Sequence, residues 1–245
     1  MQKEIVLLHG WGMNRQVWQL LEKELQGAID GQVKSLDLPG FGHAQMPEKP
    51  YSLSSAAALI AEQLADNTTL VGWSLGGLIA LHVAKYYPQK VNKVVLIAST
   101  PCFAESDDWS GIKVEVLESF KAQLLENSAK TIKRFLAIQA MGSEHAKQDI
   151  KQLKTWLLGA PEANPEALSS GLDILLNDDY REVFSTLEQP IYGLFGKLDS
   201  LVPRRSIVKM EALNGNFQAE MLPKASHAPF ISHRTESLNF LKSVL

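Results

Sequence analysis

The chain has 245 residues, 45% of them hydrophobic and 21% charged, with a formal net charge of −3. That length and balance suit one large α/β domain, or a core domain carrying an insertion, and give no global reason to expect nucleic acid or an anionic membrane as a partner. Cys102 is the single cysteine, which excludes an intramolecular disulfide and any paired-cysteine zinc site, and no stretch approaches the roughly 18 unbroken apolar residues that span a bilayer.

In chain order, Met1-Gln2-Lys3-Glu4 runs straight into an apolar strand over 5–8. No room is left there for the apolar segment and cleavage site of a signal peptide, so a cytoplasmic protein is expected; a monomer is expected as well. Further strands are expected over 33–38, 68–71, 93–98, 191–195 and 218–222, and helices over 53–65, 76–86, 204–213 and 236–245. Strand-helix alternation of this kind gives a mostly parallel central sheet flanked by helices, with its active site at the carboxyl ends of the strands. Between 102 and 187 the alternation stops, and helical periodicity appears over 113–126, 129–141, 144–158 and 165–176. The expected organisation is a core of 1–101 and 188–245 with an inserted four-helix cap over 102–187 roofing the pocket.

The most informative segment is Leu70-Val71-Gly72-Trp73-Ser74-Leu75-Gly76-Gly77, an apolar strand breaking into G-x-S-x-G and then a helix former. This mounts a serine on a tight strand-to-helix turn, where larger residues in place of the glycines would collide with neighbouring backbone. A serine hydroxyl is a poor nucleophile at neutral pH and needs a histidine base oriented by a carboxylate. His227 follows the last expected strand and Asp199 the one before it, in the chain order serine, acid, histidine of the α/β-hydrolases. His82 and His145 are expected to be packed or solvent-facing within helices, His43 follows a glycine-rich loop, and His233 lies beyond the His227 loop. Asp173, Asp178 and Asp179 compete with Asp199 in number, although none directly follows a core strand. The oxyanion would be met by the backbone N–H of Leu75 and, from the loop His9-Gly10-Trp11-Gly12, that of Trp11. His9 is expected to brace that loop. Motifs for metals, phosphates and dinucleotides are lacking, and cofactor-free chemistry is expected.

These segments, with Asp37-Leu38-Pro39-Gly40-Phe41-Gly42 and His227-Ala228-Pro229-Phe230, mark an α/β-hydrolase along the whole chain. Ser99-Thr100-Pro101-Cys102-Phe103, Phe135 through Gly142 and Ala225 through His233 resemble more narrowly the pimeloyl-[acyl-carrier protein] methyl ester esterases of biotin synthesis. The resemblance implies a carboxylesterase that demethylates the far end of a carrier-bound pimeloyl chain. It implies Ser74, Asp199 and His227 as the triad, Trp11 and Leu75 lining the substrate site, and Phe135, Leu136, Ala137, Ile138 and Gln139 as a segment contacting the acyl chain. Only eight residues precede His9, fewer than most of the superfamily use for an initial strand pair, so a short sheet edge is expected there.

Lys130, Lys133 and Arg134, and Lys147, Lys151 and Lys154, fall at helical spacings and put a basic stripe on each of two helices. Within an acidic chain they read either as solvated faces or as a docking surface for an acidic partner, and the resemblance favours acyl-carrier protein on Lys130, Arg134, Lys147 and Lys151. Other readings of the scaffold are a short-chain carboxylesterase, a thioesterase, a C–C bond hydrolase, or a ligand receptor built on a hydrolase fold.

Overall fold

The computed structural model describes residues 3–48, 50–140 and 146–245. Strand β1 (Glu4–Leu8) leads through a 3-10 turn into α1 (Gln19–Gln26) and β2 (Gln32–Leu36), followed by α2 (Leu53–Ala61), β3 (Thr68–Trp73), α3 (Leu75–Tyr86) and β4 (Val91–Ile97). Five helices come before the next strand: α4 (Val114–Glu126), α5 (Ser128–Gln139), α6 (Ala146–Leu158), α7 (Pro165–Asn177) and the short α8 (Arg181–Ser185). The chain then returns through β5 (Ile191–Gly196), α9 (Arg204–Leu213), β6 (Phe217–Leu222), α10 (Pro229–Ser232) and α11 (Arg234–Val244).

All six strands pair in parallel, in the order β2-β1-β3-β4-β5-β6. Their residues alternate between two cores, as the two-residue period of a strand requires. Val6, Leu8, Leu70, Val94 and Leu96 face one side with α2 and α3, whereas Ile5, Leu7, Val71, Val95 and Ile97 face the other with α1 and α11. Both faces are covered, which is why inner strands such as β1 and β4 read as apolar runs, whereas the edge strands β2 and β6 carry polar residues. The winding direction reverses between β1 and β3, and in open parallel sheets the crevice at such a reversal is where ligands bind. The loops after β1 and β3 are the ones carrying Trp11 and Ser74.

Each expected strand coincides with an observed one to within two residues. The helix expected over 53–65 stops at Ala61 because Gln63 and Leu64 N–H turn to carbonyls three residues back, tightening the end. Its start is fixed by a capping box between Ser52 and Ser55. Helix α1 was signalled by buried Leu21 and Leu25 at i, i+4, a pattern overlooked in the sequence. Helices α8 and α10 are too short to show any period, so four helices expected between β4 and β5 become five. Helix α5 straddles the layers: Phe135 packs into the α2–α3 side and its neighbour Leu136 into the other. Among the described residues no helix is long and apolar enough to cross a membrane.

Candidate active site

Ser74 sits between β3 and α3 at φ 54°, ψ −120°, a conformation L-residues rarely adopt. The turn is held closed from three sides. Ser74 N–H donates to Ile97 O at 3.1 Å, Gly77 N–H to Ser74 O at 2.9 Å, and the Ser99 hydroxyl to the same carbonyl at 2.7 Å. A Cβ on Gly76 would stand 2.6 Å from the backbone oxygens of Leu8 and His9, so only glycine lets α3 start this close to β1.

His227 and Asp199 come together behind it. Imidazole Nδ1 lies 2.8 Å from Asp199 Oδ2, with both side chains almost wholly out of solvent. The other carboxylate oxygen accepts from Leu201 N–H at 2.8 Å and Val202 N–H at 3.1 Å, which fixes its rotation. The acid and histidine loops are stitched together by Lys197 N–H to Leu222 O and Leu198 N–H to Ala225 O. His227 is gripped through its own backbone as well. Its carbonyl accepts from the Trp73 indole at 2.8 Å, and its N–H donates to Gln139 O at 3.2 Å. The remaining ring nitrogen, Nε2, is buried without a partner among the described residues and makes no hydrogen bond to Ser74. Catalytic hydrogen bonds are commonly loose before substrate is bound.

Trp11 N–H has no acceptor among the described residues, and Leu75, as the first residue of α3, has no intrahelical acceptor for its N–H. The Trp11 indole is pinned by a 2.8 Å bond to Leu168 O in α7 and stands edge-on to Phe135 at 4.8 Å. Phe135, Leu136 and Gln139 are buried and Ile138 is half-buried, whereas Ala137 faces solvent on α5. Helix α5 turns one face inward, and Ala137 lies on the other. Lys130, Arg134, Lys147 and Lys151 are all exposed on α5 and α6. Arg134 lies over the Phe120 ring and donates to Gln123.

Several of the competing groups are otherwise engaged. Asp173 pairs with Lys121, and Asp179 with Arg181. His9 is buried, accepts from Leu38 N–H at 2.9 Å through Nε2 and so donates through Nδ1 to Gly10 O at 2.8 Å. Burial depresses its pKa to about 4, which keeps it a neutral brace. His82, also lowered to about 4 by burial, contacts the Tyr180 hydroxyl. Burial pushes the Cys102 thiol up to about 11, so it is no thiolate nucleophile at neutral pH. His145 lies outside the described residues. Among those described, no three His, Cys, Asp or Glu side chains gather to hold a metal. Sequence reasoning missed Ser99 and Trp73 as supports. Trp73 occupies the variable position of the pentapeptide and Ser99 follows β4, and neither place announces a partner.

A model of the alpha/beta hydrolase fold family matches residues 3–234. A pimeloyl-[acyl-carrier protein] methyl ester esterase from Pseudoalteromonas atlantica is 46% identical over 239 residues, covering 95% of this chain and 90% of the relative. The Shewanella woodyi enzyme of the same name is 46% identical over 241 residues, covering 98% and 92%. The chain belongs to this esterase family of α/β hydrolases. An esterase from Exiguobacterium antarcticum shares the fold with a TM-score of 0.89 at 21% identity, covering 99% of this chain and 91% of the other. The family match runs through α4–α7 as well as the sheet, so it includes the helices packed over Trp11 and His227.

Proposed function

We propose that the chain hydrolyses the methyl ester of pimeloyl-[acyl-carrier protein] methyl ester to methanol and the free ω-carboxylate, a step of biotin biosynthesis. The observation that carries this reading is the 46% identity to enzymes of that name across nearly the full length. The geometry supports a serine mechanism. Ser74 Oγ attacks the ester carbonyl carbon while His227 Nε2 takes its proton, and the oxyanion is met by Trp11 and Leu75 N–H. The C–O bond to the methoxy group breaks as His227 returns the proton, releasing methanol and leaving an acyl-enzyme. Water then attacks the acyl carbon, again losing a proton to His227, and Ser74 leaves with that proton. Asp199 holds the ring so that Nε2 carries the lone pair.

An apolar cavity of about 370 Å³ between α4, α5 and the acid loop, lined by Val116, Leu117, Phe120, Phe135, Ile138 and Leu201 among others, offers a path for a polymethylene chain. Two larger grooves, along α1 and β2 and between α8 and α9, include none of the candidate residues. The exposed cations Lys130, Arg134, Lys147 and Lys151 supply a docking face for an acidic carrier, and the helices between β4 and β5 act as a cap. Docking there keeps the thioester at the mouth while the extended chain delivers its distal ester to Ser74, which accounts for selection of the ester over the more labile thioester. The test compares hydrolysis of the carrier-bound methyl ester, its thioester and p-nitrophenyl acetate, with Ser74→Ala as control. Methanol release with an intact thioester is expected, and preferential thioester cleavage would overturn the assignment. Restoration of growth to a biotin auxotroph lacking this step by the wild type, and not by Ser74→Ala, checks it in cells.

A further inference from the structure

Gln139 closes α5 with 1% of its surface exposed, yet neither its side-chain Oε1 nor its Nε2 has a hydrogen-bond partner among the described residues. Its backbone carbonyl accepts from His227 N–H at 3.2 Å, so this residue meets the loop that carries the candidate base. The His227 Nε2 atom is likewise buried and unpartnered. Burying a carboxamide with two donors and two acceptor sites unused is strongly unfavourable, and an ordered water or a bound polar group relieves that cost. An acyl chain does not meet that need, because its methylenes carry nothing to hydrogen-bond. The polar atoms that the proposed reaction brings to His227 are the two ester oxygens and the hydrolytic water. Trp11 and Leu75 N–H account for the carbonyl oxygen. The methoxy oxygen and the water that later takes its place are left.

We propose that the Gln139 carboxamide holds the oxygen that exchanges protons with His227. The inference rests on the esterase reading above. During acylation Gln139 Nε2–H donates to the methoxy oxygen as its bond to the acyl carbon breaks and His227 delivers a proton to it. During deacylation one O–H of water points to His227 Nε2 and the other to Gln139 Oε1. That leaves a lone pair directed at the acyl carbon. The water oxygen bonds to carbon, its proton passes to His227, and the acyl–Oγ bond breaks as that proton moves to Ser74. Deacylation depends on Gln139 more than acylation does, because a free water needs two contacts to be oriented whereas the methoxy group is tethered to the substrate.

Gln139→Met keeps the length of the side chain and removes its polar atoms. In stopped flow with p-nitrophenyl acetate it is expected to release a burst of one nitrophenolate per enzyme. The steady rate that follows should be about 10- to 100-fold below wild type, with acetyl-enzyme visible by mass spectrometry after acid quench. The melting temperature should equal or exceed that of wild type, since an unpartnered buried carboxamide is gone. Gln139→Glu retains an acceptor for water and should recover part of the steady rate. Burst and steady phases falling together, an unchanged steady rate, or equal rates for Met and Glu would each overturn the role. The two readings separate cleanly. A wild type that ignores the carrier-bound methyl ester while Gln139→Met stalls on the nitrophenyl ester refutes the substrate and retains the water-holding role, and the opposite pattern refutes only the latter.

Discussion

Asp199→Asn isolates the orienting role of the carboxylate with little change of shape. The Oδ1 atom already accepts from Leu201 and Val202 N–H, at 2.8 and 3.1 Å, and an amide NH₂ cannot take that place. The asparagine oxygen therefore stays there and its NH₂ faces His227 Nδ1, 2.8 Å away in the wild type. Nδ1 must then accept, the ring proton moves to Nε2, and the base loses the lone pair that Ser74 needs. A wrong tautomer of this kind lowers kcat by about 10⁴, or ~5 kcal/mol in the barrier, with KM little changed. Stability should fall by only ~1–2 kcal/mol, because both backbone donors keep their acceptor. Asp199→Ala strands those donors and the imidazole N–H together and should cost ~3–5 kcal/mol. Steady-state kinetics on p-nitrophenyl acetate with urea unfolding of both variants makes the comparison. Asp199→Asn activity within tenfold of wild type would refute the argument, as would a stability loss equal to that of the alanine variant.

Charge reversal of Lys130, Arg134, Lys147 and Lys151 to Glu should raise KM for the carrier-bound ester about tenfold or more at low salt. Rates on p-nitrophenyl acetate should hold, and equal loss on both would refute docking. Gly171→Ala places a Cβ 2.6 Å from Trp11 Cδ1, so a substitution that normally favours a helix should instead destabilise by ~1–3 kcal/mol and lower kcat. Thermal melting and kinetics would show both. Ser74→Gly relieves the positive φ and should raise stability over Ser74→Ala by ~1 kcal/mol, with both inactive. Buried His9, whose pKa falls from the ordinary 6.5 to about 4 on folding, stays unprotonated where the unfolded chain takes up a proton. Stability is thus complete above about pH 6.5 and declines as pH falls toward 4. His9→Gln should show an unfolding free energy with about one proton less dependence across that window, measured by urea unfolding at a series of pH values.

The fold was legible because both faces of the sheet are covered, so strands such as Ile5-Val6-Leu7-Leu8 appear as unbroken apolar runs between glycine-marked turns. Ser74, Asp199 and His227 could be read as one candidate group because each lies in the loop that follows a strand, and strand ends converge in a parallel sheet. What stayed hidden depends on contacts between residues distant in sequence. The bond from Trp73 to His227 spans 154 positions, and that from Trp11 to Leu168 spans 157, and no local pattern encodes either. The direction of Ala137 was hidden too, since the family segment 135–139 names a stretch of chain whereas a helix presents only alternate parts of such a stretch to one side.

Strands β4 and β5 pair directly although the chain travels through residues 98–190 between them. The entropy of closing such an excursion grows only with the logarithm of its length, about 0.6 kcal/mol per doubling. The pairing of β4 with β5 is therefore nearly indifferent to the length of chain between them. One restriction remains. The carbonyl that receives His227 N–H belongs to Gln139, on the helical side of the seam, so any replacement for that segment must bring a backbone acceptor to the same point or leave the histidine loop to Trp73 and the acid loop alone.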